Sequence, residues 1–308
     1  MPQQKLRIAT RKSPLALWQA EHIRAALLHH WPDLHVELLP MVTSGDAFLK
    51  EALLTIGGKG LFVKELEDAL LDKRADLAVH SMKDVPTLFP DGLSLAAICQ
   101  RDNPFDALVS PVYSCLNTLP LGARIGTTSL RRQSQLLAYR PDVQMLPLRG
   151  NIHTRLAKLD QHDFDAIVLA VAGLERMGMQ ERIAQVLPDD IMLPACGQGA
   201  LGLECRTDDD AVLRLIAPLN DAQSALSVRT ERRVNALLGG NCHVPIAIYC
   251  ALDDDSTRLV LRAKVATPNG KTILRNTQRG NPEDAMAMAE RCAQTLLDEG
   301  ATELLAKL

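Results

Sequence analysis

The chain has 308 residues, 47% of them hydrophobic and 23% charged, with a formal net charge of −3. This is the profile of a globular protein of two or three domains. A near-neutral charge with only 3% aromatic residues excludes a nucleic-acid binder built on a basic surface or on stacked bases.

In chain order, Arg7–Thr10 reads as a strand, and Ser13-Pro14 supplies an N-cap and an N1 proline for a helix through about Leu28. Val36–Met41 is a second strand, Leu61–Leu71 a helix by its 3.6-residue apolar spacing, and Leu77–His80 a third strand. The β-α-β alternation predicts a mainly parallel sheet covered by helices. The pattern restarts after Asn103-Pro104. Strands are expected at Ala107–Ser110, Arg124–Gly126, Val143–Leu148 and Ala166–Ala170, and helices at Ser129–Ala138, Ile152–Leu159 and Ala172–Met177. Met192–Ala195 reads as a return crossing, and Gly199–Arg206 as a strand rejoining the first sheet. After Asn220 come a long helix, Ala222–Leu238, strands at Ile246–Leu252, Arg258–Ala266 and Thr272–Gln278, and a closing helix, Asp284–Asp298. The division expected is residues 1–100 with 197–219, residues 101–196, and a small α+β domain at 220–308.

Seven cysteines, odd in number and widely scattered, argue against a disulfide framework, and no Cys-x-x-Cys pair offers a metal site. No apolar run reaches the roughly 20 residues of a membrane span, and Met1–Thr10 has no apolar signal region. A cytoplasmic protein with neither membrane nor nucleic-acid partner is expected.

The basic residues gather at strand ends and helix starts: Arg11, Lys83, Arg131, Arg132, Arg149, Arg155 and Arg176. Ligands of open α/β sheets bind at the carboxyl ends of the strands. Helix N-termini at Ser13, Ser129 and Asn151 add N–H donors and positive dipole ends. The pattern predicts a cleft for a polyanion, with arginine forks suited to carboxylates. Asp84 is the lone acid beside Lys83 at a strand end. It reads either as a turn-capping partner or as an ionised carboxylate able to stabilise a cation and exchange a proton. Gly57-Gly58-Lys59-Gly60 lacks the spacing of a nucleotide-hydrolysing phosphate loop and reads as a lid carrying a cation. His80 reads as a packed or hydrogen-bonded histidine rather than a metal ligand. Cys242 lies in Gly239-Gly240-Asn241-Cys242-His243-Val244-Pro245, a turn that follows a helix which Gly239 can end. A thiol there can be reached by another molecule.

Several strings together resemble the porphobilinogen deaminase family. They are Arg7-Ile8-Ala9-Thr10-Arg11-Lys12-Ser13-Pro14-Leu15-Ala16, Gly57-Gly58-Lys59-Gly60-Leu61-Phe62, His80-Ser81-Met82-Lys83-Asp84-Val85-Pro86, Gly126-Thr127-Thr128-Ser129-Leu130-Arg131-Arg132, Leu148-Arg149-Gly150-Asn151 and Gly239-Gly240-Asn241-Cys242. The resemblance implies a transferase that joins porphobilinogen units head to tail into hydroxymethylbilane with loss of ammonia, in porphyrin and heme biosynthesis. It implies two α/β domains like type II periplasmic binding proteins plus a small C-terminal domain, and a monomer. It implies a dipyrromethane cofactor held through a thioether at Cys242, and Asp84 as catalytic acid. By the same resemblance Lys83, Asp84, Thr127, Ser129, Arg131, Arg132, Arg149, Gly150 and Gln198 contact the cofactor. Arg11, Ser13, Gln19, Arg149, Arg155 and Arg176 contact substrate, and Lys59 and Phe62 belong to a lid. Two positions depart from the family wording, Thr55 near the lid and His243 after the cysteine. An anion-binding protein without catalysis, or a thiol-dependent transferase acting on another polycarboxylate, are the alternatives that the residues alone leave.

Overall fold

The computed structural model describes residues 5–43, 63–240, 244–253, 255 and 257–306. Its elements begin with β1 (Lys5–Arg11), α1 (Pro14–His30), β2 (His35–Met41), α2 (Lys64–Leu71), β3 (Leu77–Ser81) and β4 (Leu93–Ile98). There follow β5 (Asp106–Val109), β6 (Arg124–Gly126), α3 (Leu130–Tyr139), β7 (Gln144–Leu146), α4 (Ile152–Asp160), β8 (Ala166–Ala170), α5 (Val171–Arg176) and β9 (Ile183–Leu187). The chain continues through β10 (Leu201–Arg206), α6 (Asp210–Ile216) and α7 (Ala222–Leu237). It ends with β11 (Ile246–Leu252), β12 (Leu259–Ala266), β13 (Ile273–Gly280), α8 (Ala285–Asp298) and α9 (Ala301–Leu305).

The chain forms two compact units, Met1–Arg101 with Ala200–Ala225, and Asp102–Gly199 with Leu226–Leu308. In the first, a sheet of order β2-β1-β3-β10-β4 has β1 parallel to both β2 and β3, while β10 runs antiparallel to β3 and β4. In the second, a sheet of order β7-β6-β8-β5-β9 repeats the plan, with β6 parallel to β7 and β8 and β5 antiparallel to β8 and β9. In each sheet the antiparallel strand is the first strand after the chain crosses from one unit into the other. The expected return of Gly199–Arg206 to the first sheet is thus observed, as β10.

Both faces of the first sheet are covered. α1 turns Ala20, Ile23 and Leu27, spaced three and four apart, onto Leu6, Ile8, Leu77 and Val79. α2 closes the other face with Leu66, Ala69 and Leu70 against Ala9 and Ala78. Fully burying a side chain such as Ile23 or Leu27 stabilises the fold by about 1.5–3 kcal/mol.

Within the second unit, the antiparallel sheet β11-β12-β13 packs its inner face on α8. The buried Glu231 on α7 accepts from Gly197 N–H at 2.6 Å and from Cys250 N–H at 2.8 Å, which ties the crossing segment to β11. Lys264 of β12 donates to Gln135 Oε1 of α3 at 3.1 Å. Burial pushes its ammonium down to about 8.

The α/β class and the small C-terminal α+β part agree with expectation. Four elements escaped the sequence reading: β4, β9, α6 and α9. β4 (LSLAAI) and β9 (IAQVL) are short runs without clean alternation, and α6 and α9 have only seven and five residues. The helix expected over Leu61–Leu71 runs from Lys64 to Leu71 in the described residues. The strand expected over Val143–Leu148 is only Gln144–Leu146.

Candidate active site

In the first unit the carboxyl ends of β1 and β3 carry Arg11 and Ser81, as expected for an α/β sheet. Ser13 caps α1, with its hydroxyl accepting from Ala16 N–H at 3.3 Å. Gln19, one turn further, is buried and donates through Nε2 to Ser81 Oγ at 2.8 Å. Arg11, Gln19, His80, Ser81 and Asp84 line a small cavity of about 30 Å³. Asp84 is half-buried and Lys83 exposed, both on the short 3-10 turn Met82–Asp84 that follows β3.

That turn is anchored by Met82. Its N–H donates to Ala200 O at 3.0 Å, and Val85 N–H donates to its carbonyl at 3.2 Å. Its side chain is buried over Gly202 of β10. A Cβ at Gly202 would collide with Met82 Sδ and stand 2.7 Å from Leu95 Cδ1. Gly202 is therefore the seat of Met82, which opens the turn carrying Asp84. Gly202→Ala should lower stability by about 1–3 kcal/mol through overpacking. Thermal unfolding checks this, and an unchanged midpoint contradicts it.

In the second unit β6 ends at Gly126, and α3 starts four residues later. Thr127 Oγ1 accepts from Ser129 N–H at 3.2 Å, and Ser129 caps the helix by accepting from Arg132 N–H at 3.5 Å. Arg131 and Arg132 are buried, and both turn to a buried acid the sequence reading did not single out, Asp106 of β5. Arg132 donates through Nε at 3.0 Å and Nη2 at 2.7 Å to Asp106 Oδ1, and through Nη1 to Val168 O at 2.9 Å. Arg131 Nη1 lies 2.7 Å from Asp106 Oδ2 and donates to Leu193 O at 2.7 Å. Gln198, buried, donates to Asp106 Oδ1 at 3.1 Å and to Pro104 O at 2.7 Å. Burial alone would raise the Asp106 carboxyl, but the two guanidinium charges offset it and hold the group well below the usual carboxylate range. Burial draws the Arg131 guanidinium below its ordinary value, against the pull of Asp106. The trio carries two positive charges against one negative at a capped helix N-terminus, where an anion is favoured.

Gly150 has φ +115 and no room for a side chain, since a Cβ would lie 2.8 Å from Thr154 Cβ. It turns the chain from the half-buried Arg149 into α4, which Asn151 caps by accepting from Thr154 N–H at 2.9 Å. Arg155, in the first turns of that helix, donates to Gly150 O at 2.7 Å. Arg176 is buried and spans both crossing segments, donating through Nε to Asp102 Oδ2 at 2.9 Å and through Nη2 to Gly199 O at 2.6 Å.

The structure therefore gathers Arg11, Ser13, Gln19, Lys83 and Asp84 at one sheet end. It gathers Thr127, Ser129, Arg131, Arg132 and Gln198 at the start of α3. Cys242, Lys59 and Phe62 lie outside the described residues, as do Thr55 and His243. The approach to Cys242 is described. α7 ends in a Schellman motif, with Gly240 N–H donating to Asn235 O at 2.8 Å, Gly239 N–H to Ala236 O at 3.2 Å, and Gly239 at φ +66. Asp106 leaves one trace in the sequence: among the described residues it is the only acid that opens a strand, in Asp106-Ala107-Leu108-Val109.

Two family models match the chain: porphobilinogen deaminase, dipyromethane cofactor binding domain, over residues 6–214, and porphobilinogen deaminase, C-terminal domain, over residues 225–298. The chain is 62% identical over 303 residues to proteins named porphobilinogen deaminase from Legionella pneumophila strains Lens and Paris, covering 98% of each chain. Among solved structures, a periplasmic substrate-binding protein of an ABC transporter from Coxiella burnetii aligns at TM-score 0.44 and 14% identity, over 74% of this chain and 96% of that one. A nutrient binding protein from Burkholderia cenocepacia, bound to methionine, aligns at TM-score 0.43 and 11% identity, over 69% and 90%.

Proposed function

The chain belongs to the porphobilinogen deaminase family, and on that premise we propose that Asp84 is its reacting carboxylate and Cys242 the attachment point of its cofactor. The enzyme polymerises porphobilinogen head to tail into the linear tetrapyrrole hydroxymethylbilane, releasing ammonia at each addition, in tetrapyrrole biosynthesis. Its cofactor is dipyrromethane. When bound, that group supplies the pyrrole carbon from which the chain grows.

The residues fit a polycarboxylate of this kind. Each pyrrole bears an acetate and a propionate, so both the cofactor and the growing chain are polyanions. In our reading Thr127, Ser129, Arg131, Arg132, Arg149, Gly150, Gln198 and Lys83 hold cofactor carboxylates. Arg11, Ser13, Gln19, Arg149, Arg155 and Arg176 hold those of the substrate. Arg131 and Arg132 keep their orientation through Asp106, which supports a fork that stays fixed while the anion above it changes. Arg176 and Gln198 spend donors on Gly199, Asp102, Pro104 and Asp106, so they order the crossing segments as well.

Loss of ammonia from the substrate leaves an electron-deficient methylene-pyrrolenine. Asp84, as a carboxylate, offsets that charge and then receives the proton released when the new carbon–carbon bond is complete. The observation that supports this role is that Asp84 and Arg11 line the same cavity at the strand ends. Lys59 and Phe62 are assigned to a lid. The protein is proposed to work as a cytoplasmic monomer in three parts, residues 1–100 with 197–219, 101–196 and 220–308. Incubation of the purified protein with porphobilinogen alone should release ammonia in step with a linear tetrapyrrole identified by mass. Substrate binding without ammonia release would support the reading as a simple anion-binding protein instead.

A further inference from the structure

Three buried titratable side chains of the first unit are left without a task by the chemistry above. His80 of β3 is 5% exposed, Glu204 of β10 is 0% exposed and Glu67 of α2 is 8% exposed. β3 and β10 are paired with Gly202 opposite His80 and Glu204 opposite Ala78, so His80 and Glu204 form a diagonal pair on the sheet face that α2 covers. His80 Nε2 lies 2.7 Å from Glu204 Oε2. Glu204 Oε1 is buried with no hydrogen-bond partner among the described residues. An unpartnered buried carboxylate oxygen is costly, and a core built only for stability would avoid it. His80 also forms part of the cavity wall, four residues before Asp84.

We propose that Glu67, Glu204 and His80 form a buried charge relay, in which His80 is a positioning residue that conveys the charge of Glu67 to the wall of the Asp84 cavity. Burial, and then the charge of Glu204, push the Glu67 carboxyl up to about 7, while His80 pulls it down. The other charged groups on the elements packed against α2 are accounted for. Arg7 and Arg206 meet Asp76 at 2.8 Å and 3.4 Å, Lys5 pairs with Glu37 at 2.6 Å, and Arg11 lines the cavity itself. β4 carries no charge, and on α2 itself Asp68 acts in the same sense as Glu204, alongside Lys64 and Glu65.

The sign of the effect follows. Below pH 7 Glu67 is protonated and neutral. As pH rises through about 7 it ionises and adds a negative charge behind His80. That charge favours the cationic intermediate beside Asp84, so kcat should rise several-fold through this range with little change in KM.

The inference rests on the reading of Asp84 as the reacting carboxylate. The test uses the cofactor-loaded enzyme, with histidine ring NMR and kcat followed from pH 5.5 to 8.5 for wild type and Glu67→Gln. The ring signals of His80, assigned by their absence in His80→Gln, should show an inflection near pH 7 in wild type that vanishes in Glu67→Gln. The rise in kcat should flatten in the same variant while KM holds. A His80 ring profile unchanged in Glu67→Gln, or superimposable kcat profiles, would each overturn the relay. If Glu67→Gln fails to fold, Glu67→Met, of similar length and without a charge, is read in the same way. The NMR arm does not depend on Asp84, whereas full turnover by Asp84→Asn would remove the reading of Asp84 alone, so the two failures are distinguishable.

Discussion

Cys242→Ser should fold, lack any covalent dipyrrole, and lose turnover to the detection limit. A tether turns each coupling into an effectively intramolecular step, which can be worth about 7–11 kcal/mol of barrier. A serine hydroxyl is a much weaker nucleophile than a thiolate and will not be loaded. Three of the other cysteines are poor candidates for a physical reason. Cys205, Cys250 and Cys292 are buried, and burial pushes the thiols of Cys205 and Cys292 up to about 11 and about 12. Cys115 is the rival worth a control. It is only partly buried, and its thiol is drawn below the ordinary value by a hydrogen bond with Thr118. Cys115→Ser should keep both adduct and activity. An adduct that survives in Cys242→Ser and disappears in Cys115→Ser would move the attachment point.

The second large effect is at Asp84. Asp84→Asn keeps the shape of the side chain and removes its charge, so turnover should fall by about 10²-fold or more if electrostatic stabilisation is its main work. Asp84→Glu keeps the charge but displaces it, and should lose less. Substrate binding should survive in both, since the basic residues are untouched. Single-turnover release of ammonia by the three proteins makes the comparison. If Asn matches wild type, or if Glu is the worse of the two, Asp84 is a turn residue and the charge is offset elsewhere.

The local parts of this molecule were legible in the sequence. Ser13 was expected to cap a helix, and Ser129 and Asn151 to stand at helix N-termini; each accepts the hydrogen bond that a cap requires. Gly239 was expected to end a helix, and it does so at positive φ. Strands Arg124–Gly126 and Ala166–Ala170 match in full. The order of the first sheet was partly legible, through the return of β10.

What escaped is what depends on distant partners. Asp106 meets Arg132 across 26 positions, His80 meets Glu204 across 124, and Arg176 meets Asp102 across 74. No local pattern marks such pairs. The seat under Met82 was hidden for the same reason: Gly202 reads as an ordinary strand glycine until Met82 is laid over it. The arginines show the consequence for the site. Their positions in the sequence point to anions, but only the fold reveals that Arg131 and Arg132 share one buried carboxylate.

The central claim is that this chain grows a pyrrole polymer from a dipyrrole bound to its own thiol. The most direct measurement is the intact mass of the denatured wild-type protein, before and after brief exposure to less than saturating porphobilinogen. The expected result is a mass one dipyrrole above that of the sequence, followed by a ladder of species spaced by one pyrrole unit. A catalytically active preparation whose mass equals that of the bare chain, with no ladder on adding substrate, would contradict it.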